Sequence, residues 1–284
     1  MSESSKGTLY VVATPIGNLD DLSPRAAATL AKVALIAAED TRHTLRLLRH
    51  LGVECPMLSL HEHNEAGRVE QLAERLEAGN DIALVSDAGT PLISDPGFVL
   101  VRALRERGLH VVPIPGPCAL VAALSVAGLP TDRFLFRGFL PAKSGTRRTA
   151  LEALSRHQET LVFYESPHRI RDTLADIASV LGDRRVVLAR ELTKTFETLL
   201  DGTAQQLLVA MEHDPDQARG EFVVMLAGAG EAPSSDVALC GEDVLQAVLA
   251  EGVGVKQAAA VTARLVGGRK KAWYERALSL RNDG

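Results

Sequence analysis

Short apolar runs alternate with helix-period segments almost from the first residue. Four of these runs read as strands: TLYVVAT (Thr8 to Thr14), ALIAAED (Ala34 to Asp40), DIALVSD (Asp81 to Asp87) and HVVPIPG (His110 to Gly116). Amphipathic segments fill the gaps between them, and strand–helix alternation of this kind predicts a parallel α/β sheet. The punctuation agrees with the periodicity. Ser23 followed by Pro24 supplies an N-cap and a proline at the first helical position, and Gly52, Gly79 and Gly108 fall where helix C-caps belong. Asn64 precedes a helix that carries Val69, Leu72, Ala73 and Leu76 on one face. After Gly128-Leu129-Pro130 the pattern restarts with RFLFRGFLP, TLVFYES, RRVVLARE, TFETLLDG and EFVVMLAG, strands joined partly by hairpin-length gaps and accompanied by two helices. That predicts a mixed second sheet.

The expected organisation is an N-terminal α/β domain over residues 1–128, a second α/β domain over 129–228 and a small helical tail over 236–284. A polar linker, GAGEAPSSD, leads into the tail. Its three helices are expected at Asp243 to Gly252, Val255 to Gly267 and Arg269 to Leu280. At 284 residues the chain exceeds one average domain, so more than one is the prior. No repeat of solenoid period interrupts this plan.

Composition narrows the class. A hydrophobic fraction of 46% with 24% charged residues excludes a disordered chain. No apolar run approaches the roughly 20 residues that span a bilayer, and the N-terminal MSESSKG lacks a signal-peptide core. A cytoplasmic protein is expected. Cys55, Cys118 and Cys240 lack CxxC spacing and are expected as reduced thiols, without a disulfide framework or a zinc site. Net charge is -5, yet phosphates respond to local charge. The segments Thr131 to Thr149 and Ala250 to Gly284 both carry a marked excess of Lys and Arg. Each is either a solvated helix face or a phosphate-binding patch.

In an open α/β sheet, ligands collect at the carboxyl ends of the strands. Four turns lie there. ATPIGNLDD has one glycine, Gly17, and lacks the G-x-G-x-x-G of a dinucleotide site, although Glu39 and Asp40 in AAEDTRH fall about where a ribose-binding acid would. In SDAGTPLISDPG, Ala88, Gly89 and Thr90 leave room for a ligand at the backbone, Asp87 can accept from hydroxyls and Pro91 stiffens the turn. Gly116-Pro117 with Cys118 and Ala119 offers similar space one turn away.

Six segments in fixed order, VVATPIGNLDDLSPRA, AAEDTRHT, LVSDAGTPLISDPG, VPIPGPCALVAALSVAGLP, FYESPHR and ARELTKTFE, closely resemble the ribosomal RNA small subunit methyltransferase I family of the tetrapyrrole methylase superfamily. The resemblance spans roughly Leu9 to Gly228. It implies two α/β domains with S-adenosylmethionine in the cleft between them, a homodimer, and 2′-O-methylation of a decoding-centre cytidine in 16S rRNA on the small ribosomal subunit. By the superfamily pattern, cofactor contacts fall on Pro15, Ala88, Gly89, Thr90, Ile93, Cys118 and Ala119, and in the second domain on Tyr164, Glu165, Leu192 and Thr193; Asp87 joins them from the reading of its turn. Tetrapyrrole-modifying relatives carry a G-x-G-P-G-D type first turn. Thr14-Pro15-Ile16-Gly17-Asn18 departs from it and favours the RNA branch.

A ribose hydroxyl holds its proton tightly at neutral pH, so a base or a charge stabiliser must act as it attacks. Glu39 and Asp40 are the favoured bases, against the possibility that EDTRH is a helix cap with Arg42 paired to Glu39. Lys194 would stabilise an alkoxide if desolvation lowered its pKa. In SLHEHNE, His61 and His63 look metal-like but no third ligand is visible, so no metal is expected and contact with RNA is preferred. In FYESPHR, Pro167 starts a helix with Ser166 as its cap, or Arg169 meets phosphate. Candidate RNA contacts are therefore Arg42, His61, His63, Arg147, Arg148, Arg169, Lys194, Lys270 and Lys271. Trp273 and Tyr274 are expected in the core of the tail. Two other activities stay open: methylation of a tetrapyrrole carbon, and a non-catalytic RNA-binding assembly factor.

Overall fold

Burial on both faces shapes the central strands of both sheets. The computed structural model describes residues 6–229 and 241–282, and Cys240 and residues 236–240 of the expected tail lie outside them. The first sheet contains β1 (Thr8–Val12), β2 (Leu35–Ala38), β3 (Met57–Ser59), β4 (Ile82–Val85) and β5 (His110–Ile114), all parallel, in the order β3-β2-β4-β1-β5. Ile82 and Leu84 join Leu9, Leu35 and Ala37 in one core, while Ala83 and Val85 join Val12, Ile36 and Ala38 in another. Two-sided burial explains why these strands read as continuous apolar runs. The three-residue β3 was not anticipated, because a strand that short carries no readable period.

Five helices connect this half: α1 (Pro24–Leu30), α2 (Thr41–Leu51), α3 (Glu65–Glu77), α4 (Phe98–Glu106) and α5 (Ala119–Val126). Ser23 caps α1 by accepting from the Ala26 N–H, and Gly52 closes α2 in the left-handed conformation. Gly79 and Gly108 sit one residue past the C-caps Ala78 and Arg107, at φ of 88° and 67°. Asn64 stands at the head of α3 but turns its carboxamide oxygen to the His61 N–H instead of capping the helix.

The second sheet runs β6-β7-β10-β8-β9, from β6 (Phe134–Phe139), β7 (Thr160–Glu165), β8 (Arg185–Arg190), β9 (Thr198–Thr203) and β10 (Phe222–Leu226). Only β6 and β7 are parallel, so the sheet is mixed as expected. Three α-helices accompany it, not two: α6 (Ser144–Leu154), α7 (Ile170–Leu181) and α8 (Ala204–His213). The last opens on a Thr203–Gln206 capping box. Helix α5, assigned by sequence to the first domain, packs its Leu120, Ala123 and Leu124 on Val162, Val187 and Met225 of the second sheet. The change of packing partner therefore precedes α5 rather than falling at Gly128.

Two compact units result, residues 1–229 and 230–284. In the second, α9 (Gly241–Ala250), α10 (Val255–Val266) and α11 (Lys270–Asn282) enclose a small core of Leu245, Ala258 and Ala277. Trp273 packs against that core and donates its indole N–H to the Gly267 carbonyl at 2.8 Å. Tyr274, expected inside, is exposed. A three-helix unit this small has too little core to bury both aromatics.

Candidate active site

The carboxyl ends of the first sheet and the β7, β8 and β10 edge of the second enclose a cavity of about 470 Å³. Every predicted cofactor residue except Pro15 and Thr193 lines it: Asp87, Ala88, Gly89, Thr90, Ile93, Cys118, Ala119, Tyr164, Glu165 and Leu192. From the first turn it is Ile16, next to Pro15, that reaches the wall. Thr193 instead joins the two halves, its hydroxyl accepting from the Asn18 N–H at 3.1 Å. Gly17 permits this approach, since a Cβ there would lie 2.4 Å from Lys194 Cγ.

The wall is held in uncommon backbone conformations. Gly89 sits at φ 80° and exchanges two hydrogen bonds with Thr14, which ties the first turn to the third. Leu92 and Ser94, at φ of 72° and 69°, flank Ile93; Glu191 and Thr193, at 50° and 66°, flank Leu192. Left-handed non-glycine residues are costly and cluster where a site dictates the chain path. Here both pairs hold an apolar side chain against the cavity. Strand β6 breaks register with β7 between Phe136 and Phe139, and the irregularity leaves Phe139 on the cavity wall, edge-on to Tyr164.

Carboxyls dominate the electrostatics. Glu39 Oε2 accepts from the Asp87 N–H at 3.4 Å, and Asp87 Oδ1 accepts from the Asp40 N–H at 2.9 Å. Burial raises the Glu39 pKa, with the charges of Asp87, Glu62 and Asp40 adding to it against the Asp87 N–H. Asp40 behaves oppositely. It caps α2 through the Arg42 N–H and pairs with the Arg42 guanidinium, which holds its carboxyl far below the usual range. Arg42 thus pairs with Asp40 and not with Glu39. Asp95, on the same turn as Gly89, also lines the cavity; burial, then the nearby Glu39 charge, pushes its pKa up to about 6. Burial likewise raises the Tyr164 phenol, whose oxygen accepts from the Leu120 N–H at the start of α5.

Several expected RNA contacts are spent inside the protein. Arg147 is buried, its Nε 2.7 Å from Asp176 Oδ2, so it is withdrawn as a phosphate ligand; Arg148 beside it is exposed. Arg169 donates to the Leu140 and Pro141 carbonyls and lies 3.3 Å from Glu165, locking β7 to the end of β6. Pro167 begins a single turn, and α7 starts only at Ile170 with Arg169 at its N-cap, so Ser166 is not the cap. Burial alone would lower the Lys194 pKa, but hydrogen bonds to Glu191 and Glu221, each 2.9 Å, outweigh it and keep the ammonium charged. The condition under which Lys194 would stabilise an alkoxide, a lowered pKa, is not met. Arg42, His63, Lys270 and Lys271 are exposed, while His61 is half-buried beside Asn64. Among the described residues no group of three or more His, Cys, Asp or Glu is arranged to hold a metal ion.

The sequence pointed to neither Asp95 nor the remaining lining from the second half, including Ala189, Phe222 and Val223. Asp95 was within reach of the reading, since it shares the turn of Asp87. Phe222 and Val223 belong to a uniformly apolar strand and carried no local signal.

Residues 8–208 match the family of Tetrapyrrole (Corrin/Porphyrin) Methylases, and residues 236–281 match the RsmI C-terminal HTH domain. Ribosomal RNA small subunit methyltransferase I of Pseudomonas aeruginosa is 54% identical over 277 residues, covering 96% of this chain and 98% of that protein. Its counterpart in Escherichia coli O157:H7 is 51% identical, covering 98% and 96%. Among solved structures, uroporphyrin-III-C-methyltransferase from Thermus thermophilus shares the fold, with a TM-score of 0.54 over 79% of this chain and 95% of that one, at 20% identity.

Proposed function

We propose, from the premise that the chain belongs to the ribosomal RNA small subunit methyltransferase I family of the tetrapyrrole methylases, that its cleft transfers the methyl group of S-adenosylmethionine to the ribose 2′-hydroxyl of a decoding-centre cytidine in 16S rRNA. The protein is an rRNA methyltransferase; the donor, the atom and the nucleotide are the proposal. One observation carries it: the residues a methyl donor would need converge on one cavity from turns far apart in sequence.

The residues present suit that donor. Ala88, Gly89 and Ala119 lack side chains large enough to fill the space, Ile93 and Leu192 give apolar walls, and Glu39 and Asp87 place negative charge where a sulfonium would be attracted. When bound, S-adenosylmethionine supplies an electrophilic methyl carbon on a positively charged sulfur. The chain aligns nucleophile, carbon and sulfur, and alignment alone can lower such a barrier by several kcal/mol, roughly 7–11 at the upper end. The wall between the β2 and β4 turns offers carboxylates to take the hydroxyl proton.

The RNA is held by exposed polar and basic side chains, with Arg42, His63, Arg148, Lys270 and Lys271 the proposed contacts. A homodimer would cover the outer side of the edge strand β6, where Phe134 and Phe139 are exposed, and the exposed Val121 and Val126 on α5. No helix among the described residues is long and apolar enough to cross a membrane.

The test incubates the protein with radiolabelled S-adenosylmethionine and small ribosomal subunits. The expected result is label in 16S rRNA at a nucleotide whose 3′ linkage resists alkaline hydrolysis, the mark of a blocked 2′-oxygen. Label on a porphyrinoid instead of RNA, or tight subunit binding without transfer, would overturn the assignment.

A further inference from the structure

Most carboxyls facing the cavity already have protein donors. Glu165 accepts from the Ser166 N–H and, at 2.7 Å, from the Thr173 hydroxyl. Glu221 takes the Lys194 ammonium. Asp87 accepts from the Asp40 N–H and lies 3.2 Å from His43 Nδ1. Glu39 and Asp95 are engaged least: Glu39 by the 3.4 Å contact from Asp87, Asp95 by the hydroxyl of Ser86. They reach the same wall from different elements, Glu39 from the end of β2 and Asp95 from the loop between β4 and α4. The left-handed Ser94 immediately before Asp95 fixes where its backbone runs.

We propose, resting on the ribose-methylation reading above, that Asp95 accepts the proton of the attacking hydroxyl, with Glu39 as the positioning residue whose charge keeps that proton on Asp95. As the oxygen–carbon bond forms, the carbon–sulfur bond breaks and its electron pair stays on sulfur. The proton moves from the hydroxyl oxygen to an Asp95 carboxylate oxygen and then to water. The sulfonium charge and the carboxylate charge vanish together, so the wall gains no net charge in the step.

The groups facing Asp95 are Glu39 from β2, Ser86 and Asp87 from β4, and Tyr164 from β7, which has Cys118 at the head of α5 beside it. Burial and the two neighbouring carboxylates raise its pKa to about 6. The active form is the carboxylate, so the rate falls as pH drops through about 6. Removing Glu39's charge lowers the Asp95 pKa and moves that limb to lower pH.

The experiment measures single-turnover methylation of small subunits against pH, with donor affinity by calorimetry. Asp95→Asn is expected to lose about 100-fold or more in rate at neutral pH, the usual yield of a general base, while donor affinity stays within about threefold of wild type. Glu39→Gln is expected to shift the acid limb downward. Should Asp95→Asn fail to fold, Asp95→Glu keeps a carboxyl and is expected to keep both the limb and part of the rate. Full rate in Asp95→Asn, an unshifted limb in Glu39→Gln, a limb lost in Asp95→Glu, or donor affinity lost in step with the rate would each overturn the proposal. A wild-type protein that leaves no blocked 2′-oxygen would instead overturn the reading on which it rests.

Discussion

At the scale of single residues, the cavity depends on positions where a side chain is missing. Gly89 adopts φ 80°, and a Cβ there would lie 3.3 Å from Ile16 Cγ2. Gly89→Val is expected to weaken S-adenosylmethionine binding at least about 100-fold in calorimetry, because a branched side chain must occupy the donor's space. The protein still folds, since a left-handed L-residue costs about 1–2 kcal/mol against a stability of roughly 5–15 kcal/mol. Unchanged affinity in a folded variant would place the donor elsewhere. This glycine was legible in the sequence, because a small-residue turn after an apolar strand has few purposes. The roles of the neighbouring acids were not. Glu39 and Asp40 are adjacent in sequence, yet one is partly desolvated with a raised pKa and the other is clamped by Arg42. Only the direction each side chain takes at the head of α2 separates them.

At the scale of elements, helices α6 and α7 are joined by an internal charge pair that the sequence disguised as a surface patch. Arg147 and Arg148 look equivalent in SGTRRTALEAL, but helical rotation turns them to different faces, one against Asp176 and one in solvent. Arg147→Ala leaves the Asp176 carboxylate buried with the Ser144 hydroxyl as its remaining partner, and should cost about 3–5 kcal/mol in urea unfolding. Arg148→Ala should change stability by less than about 0.5 kcal/mol and weaken binding to small subunits. The reverse pattern, stability lost at Arg148 or unaffected at Arg147, would refute this division. Short elements were the least legible. The three residues of β3 and the delayed start of α7 depend on neighbours, not on local propensity.

At the scale of the whole molecule, a chain of net charge -5 would need local concentrations of positive charge to engage a polyanion. Lys270 and Lys271 are exposed at the start of α11 in the C-terminal unit. Replacing both with Ala should reduce affinity for small subunits and flatten the dependence of log K on log salt by about 0.7–0.9 per lost phosphate contact. Filter binding over a series of salt concentrations reads both. An unchanged slope would remove these lysines from the interface while leaving the chemistry of the cleft untouched.

The sequence by itself determined the two-sheet plan, the small-residue turns and the family, because burial on both faces forces apolar strands and small residues keep the turns beyond them open. It also pointed to most of the first-half turns that line the cavity. Tertiary structure alone decided that α5 packs on the second sheet, that Arg147 and Arg169 face inward, and that Asp95 shares a wall with Glu39. Those facts depend on which side chains meet across long sequence separations, where desolvation and neighbouring charge act through space. A one-dimensional pattern records periodicity and turn chemistry, but it carries no distance between residues 39 and 95.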